Sequence, residues 1–185
     1  MKDILVREAK IEEADELGSL HLRTWEESYR SILRNEFPEA ITAISRSEMR
    51  QRVLSQPETF GLVSVAVAQA PEGIVGFASC STQRDVKLRE LGYAGEIGAI
   101  YVLNAFQGKG IGRALMYEMA NALSERKHNS VSLWVLEKNL KARRIYENLG
   151  ATPINLSKPF QTGSSILEVA YGWRDLSNFE CNAIA

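Results

Sequence analysis

Hydrophobic and polar positions alternate in two distinct rhythms along this chain. Ile4 to Arg7 reads as a short opening strand. From Glu12 onward, Ala14, Leu17, His21, Thr24, Trp25 and Ser28 recur at helical spacing, which predicts a first helix to about Tyr29. Pro38 can open a second helix, as an early-turn proline does. Ser47 to Leu54 predicts a third, with Ser47 as its cap and Arg50 where Glu or Gln is usual. The β-rich runs Leu62 to Ala68 and Ile74 to Cys80 flank Pro71-Glu72-Gly73, a hairpin pattern. Tyr93 to Leu103 should pair with the second of them.

The rhythm then returns to helix. Over Ile111 to Arg126, residues Ile111, Leu115, Met119, Ala122 and Leu123 share one face, enough to cover a sheet. Val131 to Leu136 is apolar on both sides apart from Ser132, as expected of a strand buried by helices. Asn139 is placed to cap the next helix and Gly150 to end it. Ile166 to Trp173 completes the strands. Together these predict one α+β domain over residues 1–176 and a tail over 177–185.

Composition narrows the function classes. At 185 residues there is length for one well-buried core. A formal net charge of −1 gives no support to a nucleic-acid or acidic-membrane binder. The first residues carry charges where a signal peptide needs its apolar segment, and no apolar run reaches membrane-spanning length. Cys80 and Cys181 lack metal-ligand spacing, and His21 and His128 are far apart. Free thiols in a reducing cytoplasm and no metal are therefore expected.

The most informative stretch is Gln107-Gly108-Lys109-Gly110-Ile111-Gly112, between a strand-like run and a helical one. The first N–H groups of a helix lack internal partners, and the helix dipole is positive there. Glycines let an anion approach those donors, so the segment is a phosphate cradle. The spacing does not fit a P-loop, because Lys109 precedes Gly110 and no Ser or Thr follows in place. Nor does it fit the dinucleotide fingerprint, whose third glycine would fall on Arg113 or Leu115.

With Glu96-Ile97-Gly98-Ala99-Ile100-Tyr101-Val102 upstream and Asn139 to Gly150 downstream, the sequence resembles the Gcn5-related N-acetyltransferase (GNAT) superfamily. The glycine segment matches that family's acetyl-coenzyme A signature, Arg/Gln-x-x-Gly-x-Gly/Ala. Asn139, Ala142 and Tyr146 match its second cofactor motif. A proline common after the strand is replaced by Asn104. The resemblance is strong over roughly residues 93 to 150 and general over the N-terminal third. It implies a mixed, mostly antiparallel twisted sheet with helices on both faces and two splayed central parallel strands. It also implies acetyl-CoA as cosubstrate. The pantetheine arm would lie along Ile100, Tyr101 and Val102, and the pyrophosphate on residues 107–112, with Lys109 and Arg113 adding charge. Asn139 and Ala142 would complete the cofactor site.

The implied reaction is direct attack of a primary amine on a thioester. An alkyl ammonium with a pKa of about 10.4 is neutral only about once in several thousand molecules at pH 7, so a base matters more than an acid. Glu96 is the candidate general base, directly or through water, and Tyr146 the candidate acid towards the leaving thiolate. Trp25, Glu26 and Tyr29 are candidates to line the acceptor pocket, aromatic rings and a carboxylate being suited to a cation. Other readings are a non-catalytic acyl-CoA-binding module, or an acyltransferase using another acyl chain or an alcohol. Neither nucleic acid nor membrane is an expected partner; a homodimer stays open.

Overall fold

The computed structural model describes residues 4–33 and 41–178. Its strands are β1 (Leu5–Glu8), β2 (Leu62–Ala70), β3 (Gly73–Thr82), β4 (Gly95–Val102), β5 (Val131–Leu136), β6 (Thr152–Pro159) and β7 (Leu167–Trp173). The helices are α1 (Ala14–Leu33), α2 (Ala43–Ser55), α3 (Val86–Glu90), α4 (Ile111–Glu125) and α5 (Leu140–Asn148). All the strands join one sheet in the order β1-β2-β3-β4-β5-β7-β6. Every pairing is antiparallel except β4 with β5. Among the described residues no helix is long and apolar enough to cross a membrane.

Alternation along β3 sends neighbouring side chains to opposite faces. Cys80 directs its Sγ at the carbonyl oxygen of Met119 on α4, while Phe77 lies edge-on to His21 of α1. Helix α4 thus covers one face of the sheet, and α1 with α2 covers the other. The apolar stripe of α4 disappears into the core, with Leu115, Met119 and Leu123 fully buried.

Several expected boundaries shift for local reasons. The helix expected over Ser47 to Leu54 begins a turn earlier, because Thr42, not Ser47, is the cap. Ser45 N–H donates to Thr42 Oγ1 at 3.1 Å, and Thr42 N–H donates back to Ser45 Oγ at 3.0 Å. Ser45 fills the place that Glu or Gln takes in the usual reciprocal cap. The first helix runs one turn beyond Tyr29, to Leu33, after a 3₁₀ turn over Ile11–Glu13. Helix α3 and strand β6 were not expected. Strand β6 is a sheet edge with Pro153 and Pro159 near its ends and alternately exposed positions, so its sequence lacks an apolar run. Residues 177–178 end a 3₁₀ turn; the helix expected at Pro38 and the rest of the tail lie outside the described residues.

Helices α1 and α2 approach so closely at Gly18 that an added Cβ would lie 2.5 Å from the Ser47 nitrogen and 2.7 Å from its Cα. Backbone cannot yield as a side-chain tip does. Gly18→Ala should therefore lower the thermal midpoint by on the order of 5 °C, the usual scale of overpacking in a domain of this size. An unchanged midpoint in thermal unfolding would mean that the helices can separate without cost.

Candidate active site

Strands β4 and β5 pair only at Gly95 with Val131 and Glu96 with Ser132. Beyond that point β5 stays bonded to β7 along its length, while β4 stays bonded to β3. The edge of β4 that faces β5 is therefore unpaired over residues 97–102. The parting opens a cleft of about 550 Å³.

Residues from both expected cofactor motifs meet in this cleft. Ile100, Tyr101 and Val102 contribute from β4, Gln107, Gly108 and Gly112 from the glycine segment, and Asn139, Ala142 and Tyr146 from α5 and its cap. Gly108 and Gly110 have φ of 76° and 78°, a left-handed backbone that glycine adopts without strain. A Cβ at Gly108 or Gly112 would meet nothing within 4 Å, so the space beside both is open. Gly110 is the N-cap of α4 and, lacking a side chain, leaves the first N–H groups of the helix uncapped.

Four residues expected at the cofactor lie apart from that lining. Gly110 shapes the turn, and Ile111 has its side chain in the core at 3% exposure. Lys109 and Arg113 are exposed, Lys109 with its ammonium 4.8 Å above the Phe106 ring. The Gln107 amide ties the cleft together: its Nε2 donates to the Val102 carbonyl at 2.8 Å, and its Oε1 accepts from the Lys141 ammonium. Asn139 Oδ1 accepts from Ala142 N–H at 3.2 Å, a helix cap. Asn104 uses its N–H to donate to Glu27 Oε2 at 2.9 Å, a bond proline cannot make. Lys141 and Arg144, not singled out by sequence, also line the cleft.

Glu96 is 9% exposed at the root of the parting. Arg84 grips it as a fork, Nη2 to Oε1 at 2.6 Å and Nε to Oε2 at 3.1 Å, while the Arg84 N–H reaches Oε2 at 3.3 Å. A carboxylate offers about four lone-pair directions, so one on Oε1 stays available. The Tyr146 hydroxyl is buried, and burial, with the nearby Tyr101, raises its pKa well above the ordinary tyrosine value.

A second cavity, of about 250 Å³, lies between α1, α2 and the β3–β4 pair. It meets the cleft at Tyr101, which lines both. A bulge between Ser79 and Cys80 of β3 leaves Gly98 of β4 without a partner, exposed to this cavity. Trp25 lines it and donates from Nε1 to the Tyr101 hydroxyl at 2.9 Å. Tyr29 lines the first cleft instead, its ring edge-on to that of Tyr101 at 6.4 Å. Glu26 lines neither; its carboxylate is held by Arg30 at 2.6 Å on the surface. The cation over the Trp25 ring is the protein's own Arg46, at 5.1 Å.

The acetyltransferase (GNAT) family profile matches residues 23–151 of this chain. The chain belongs to that family. An uncharacterized N-acetyltransferase of Bacillus subtilis, YuaI, is 30% identical over 175 residues, 94% of this chain and 95% of that protein. A ribosomal-protein-alanine N-acetyltransferase from Brucella melitensis has the same fold at TM-score 0.71 and 21% identity, over 91% of this chain and 98% of that chain. So does yncA of Salmonella typhimurium, solved with its cofactor acetyl-CoA, at TM-score 0.68, 16% identity and 99% coverage of both chains. At these identities the structural likeness shows the fold alone. With the 30% relative and the family match, it makes the chain an acetyltransferase of the GNAT type.

In this GNAT chain the second cavity is lined, beside Trp25, by residues that sequence reading did not place at a site: His21, Arg46, Arg50 and Arg84. The available signal was Arg46 and Arg50 one turn apart on a helix face shared with Met49 and Val53. His21 is 5% exposed, and its Nδ1 faces Arg50 Nη2 at 3.2 Å. Burial first, then the charges of Arg50 and Arg46, push its pKa down to about 2. The imidazole is neutral and accepts from Arg50. In the unfolded chain the same imidazole titrates near 6.5, so across the interval below that the unfolded state binds more protons. Its contribution to stability is full above pH 6.5 and falls with pH below it, by up to about 1.4 kcal/mol per unit. His21→Gln keeps an acceptor for Arg50 and should flatten denaturant-measured stability between about pH 6.5 and 5; an unaltered slope would show that His21 is not the group responsible.

Proposed function

We propose that the chain is an N-acetyltransferase that moves the acetyl group from acetyl-CoA to a primary amine of a small molecule or peptide, by direct attack. The observation that carries this reading is the unpaired edge of β4 over residues 97–102, facing a cleft that starts at the open glycine turn of α4. Free strand N–H and C=O groups suit an amide-bearing arm, and uncapped helix N–H groups suit a diphosphate. The acetyl-CoA bound to yncA supports the same cosubstrate here. Lys141 and Arg144 add positive charge along the cleft, besides Lys109 and Arg113 at the turn.

In this reading Tyr101, shared by both cavities, marks where thioester and amine meet. Cys80 also borders the acceptor cavity, but burial pushes its thiol up to about 12, so it stays protonated and is no acyl carrier. A direct transfer follows. Glu96 lines neither cavity among the described residues; it takes the ammonium proton through a chain of waters ending at its remaining Oε1 lone pair, and Arg84 fixes its orientation. Tyr146 acts on the other side of the reaction. With its pKa raised by burial, full proton transfer to a thiolate of pKa about 8.5 runs uphill. Donating a hydrogen bond to that thiolate does not. Tyr146 therefore stabilises the leaving group while keeping its own proton.

Calorimetry should detect coenzyme A binding in the micromolar range or tighter, and its absence from folded protein would sink the reading. Glu96→Gln should lower kcat/KM by roughly 100-fold, the scale of a general base, with part of the loss recovered at alkaline pH. Equal activity of both proteins across pH would remove Glu96 from the proton path. Tyr146→Phe should lower kcat by about 10-fold or more while coenzyme A affinity holds; an unaltered kcat would end its role.

A further inference from the structure

Among the described residues, every side-chain charge in the wall of the α1–α2 cavity is positive. Its described lining holds Arg46, Arg50 and Arg84 and has no Asp or Glu. Arg84 is already matched by Glu96. Arg50 is not matched: it is 4% exposed, its guanidinium stacks 4.4 Å over the Phe77 ring, and its hydrogen-bonded neighbour is the neutral His21. Among the described residues no carboxylate forms an ion pair with Arg46 or Arg50. The Nε of each, and the Oγ of Ser81 in the same wall, are buried without a protein hydrogen-bond partner. A guanidinium this deep, with donors left over, is an anion receptor awaiting its anion.

We infer that the acceptor is a small amino acid, whose carboxylate is held by Arg50 and Arg46 while its amine reaches the thioester beside Tyr101. The cavity, at about 250 Å³, is smaller than a drug-sized site and suits a compact metabolite. Carboxylate is favoured over phosphate by charge balance. Arg46 is only partly buried, so one fully buried positive charge, that of Arg50, needs neutralising, and a monoanion does so without surplus. The same arginines act on the amine. They disfavour its ammonium form and so ease the loss of the proton that must leave before attack. They also repel polyamines, which bring positive charge and nothing to pair with Arg50.

The identity of the amine as nucleophile rests on the acetyltransferase reading; the carboxylate rests on the cavity alone. The test therefore has two arms on the full chain. The first is thiol release from acetyl-CoA with the common amino acids, their carboxamides, the matching decarboxylated amines, spermidine and phosphoethanolamine. At least one amino acid should turn over, with kcat/KM roughly 100-fold or more above its carboxamide. Arg50→Gln should erase that preference, raising KM for the acid while KM for acetyl-CoA holds. Simple damage to the fold would lower both substrates alike. The second arm needs no turnover: the same amino acids, and not their carboxamides, should raise the thermal midpoint of the wild-type protein, and Arg46→Gln and Arg50→Lys should each weaken the shift. A best substrate lacking a carboxylate, phosphoethanolamine included, overturns the inference. So does equal use of acid and carboxamide, or binding of no amino acid at all. Failure to bind coenzyme A with the second arm intact would instead overturn the acetyltransferase reading.

Discussion

One break in hydrogen bonding organises this molecule: β4 leaves β5 after two residue pairs. A sheet ordinarily satisfies its backbone groups strand against strand, and an opened edge in the middle is costly unless something else bonds it. Here the opening is held at its root. Gln83 Nε2 donates to the Gly95 carbonyl at 3.2 Å and to Ser132 Oγ at 2.6 Å, bridging the two strands where they diverge. Ser130 donates to Gly92 and accepts from Ala94 N–H, tying the approach of β4 to the start of β5. Gly95 lets α4 pack closely there, since a Cβ would lie 2.8 Å from Leu123. With the root fixed, the strands can part without the sheet slipping register.

The two cavities follow from what covers each side of that opening. Towards α4 and α5, backbone dominates: open glycine turns, a helix start and a free strand edge make neutral dipolar surface with cations at the mouth. Towards α1 and α2, side chains dominate. The close crossing at Gly18 brings α2 over the sheet, so that Arg46 and Arg50 project onto Trp25 and Phe77 instead of into solvent. Tyr101 stands at the junction, bonded to Trp25 and edge-on to Tyr29. A single tyrosine thus couples the helix that shapes one cavity to the strand that lines the other.

Much of this was legible before the structure. The glycine segment and Asn139 were readable because a backbone turn and a helix cap impose residue types at fixed spacing, whereas Tyr146 was picked out by the family resemblance. Strand β5 and helix α4 were readable because their apolar patterns are long and unbroken. Ser132, the polar exception in β5, is explained by its bond to Gln83. What failed to read had conflicting local signals: edge strand β6 without an apolar run, short α3, and the Thr42-Ser45 cap in place of Ser47. Glu26 was read by composition as cation-binding, yet helical spacing hands it to Arg30.

By itself the sequence determined the glycine turn, most of the strands and helices, and the family, because these depend on residues close together in the chain. The polarity of the α1–α2 cavity was decided only in three dimensions. Arg46 and Arg50, a turn apart on one helix, carry no local sign of burial until α1 and the sheet enclose them. Glu96 reads as a free carboxylate until Arg84, twelve residues earlier, closes on it. Burial and pairing between distant segments set the chemistry of a charge, and neither is written in its neighbours along the chain.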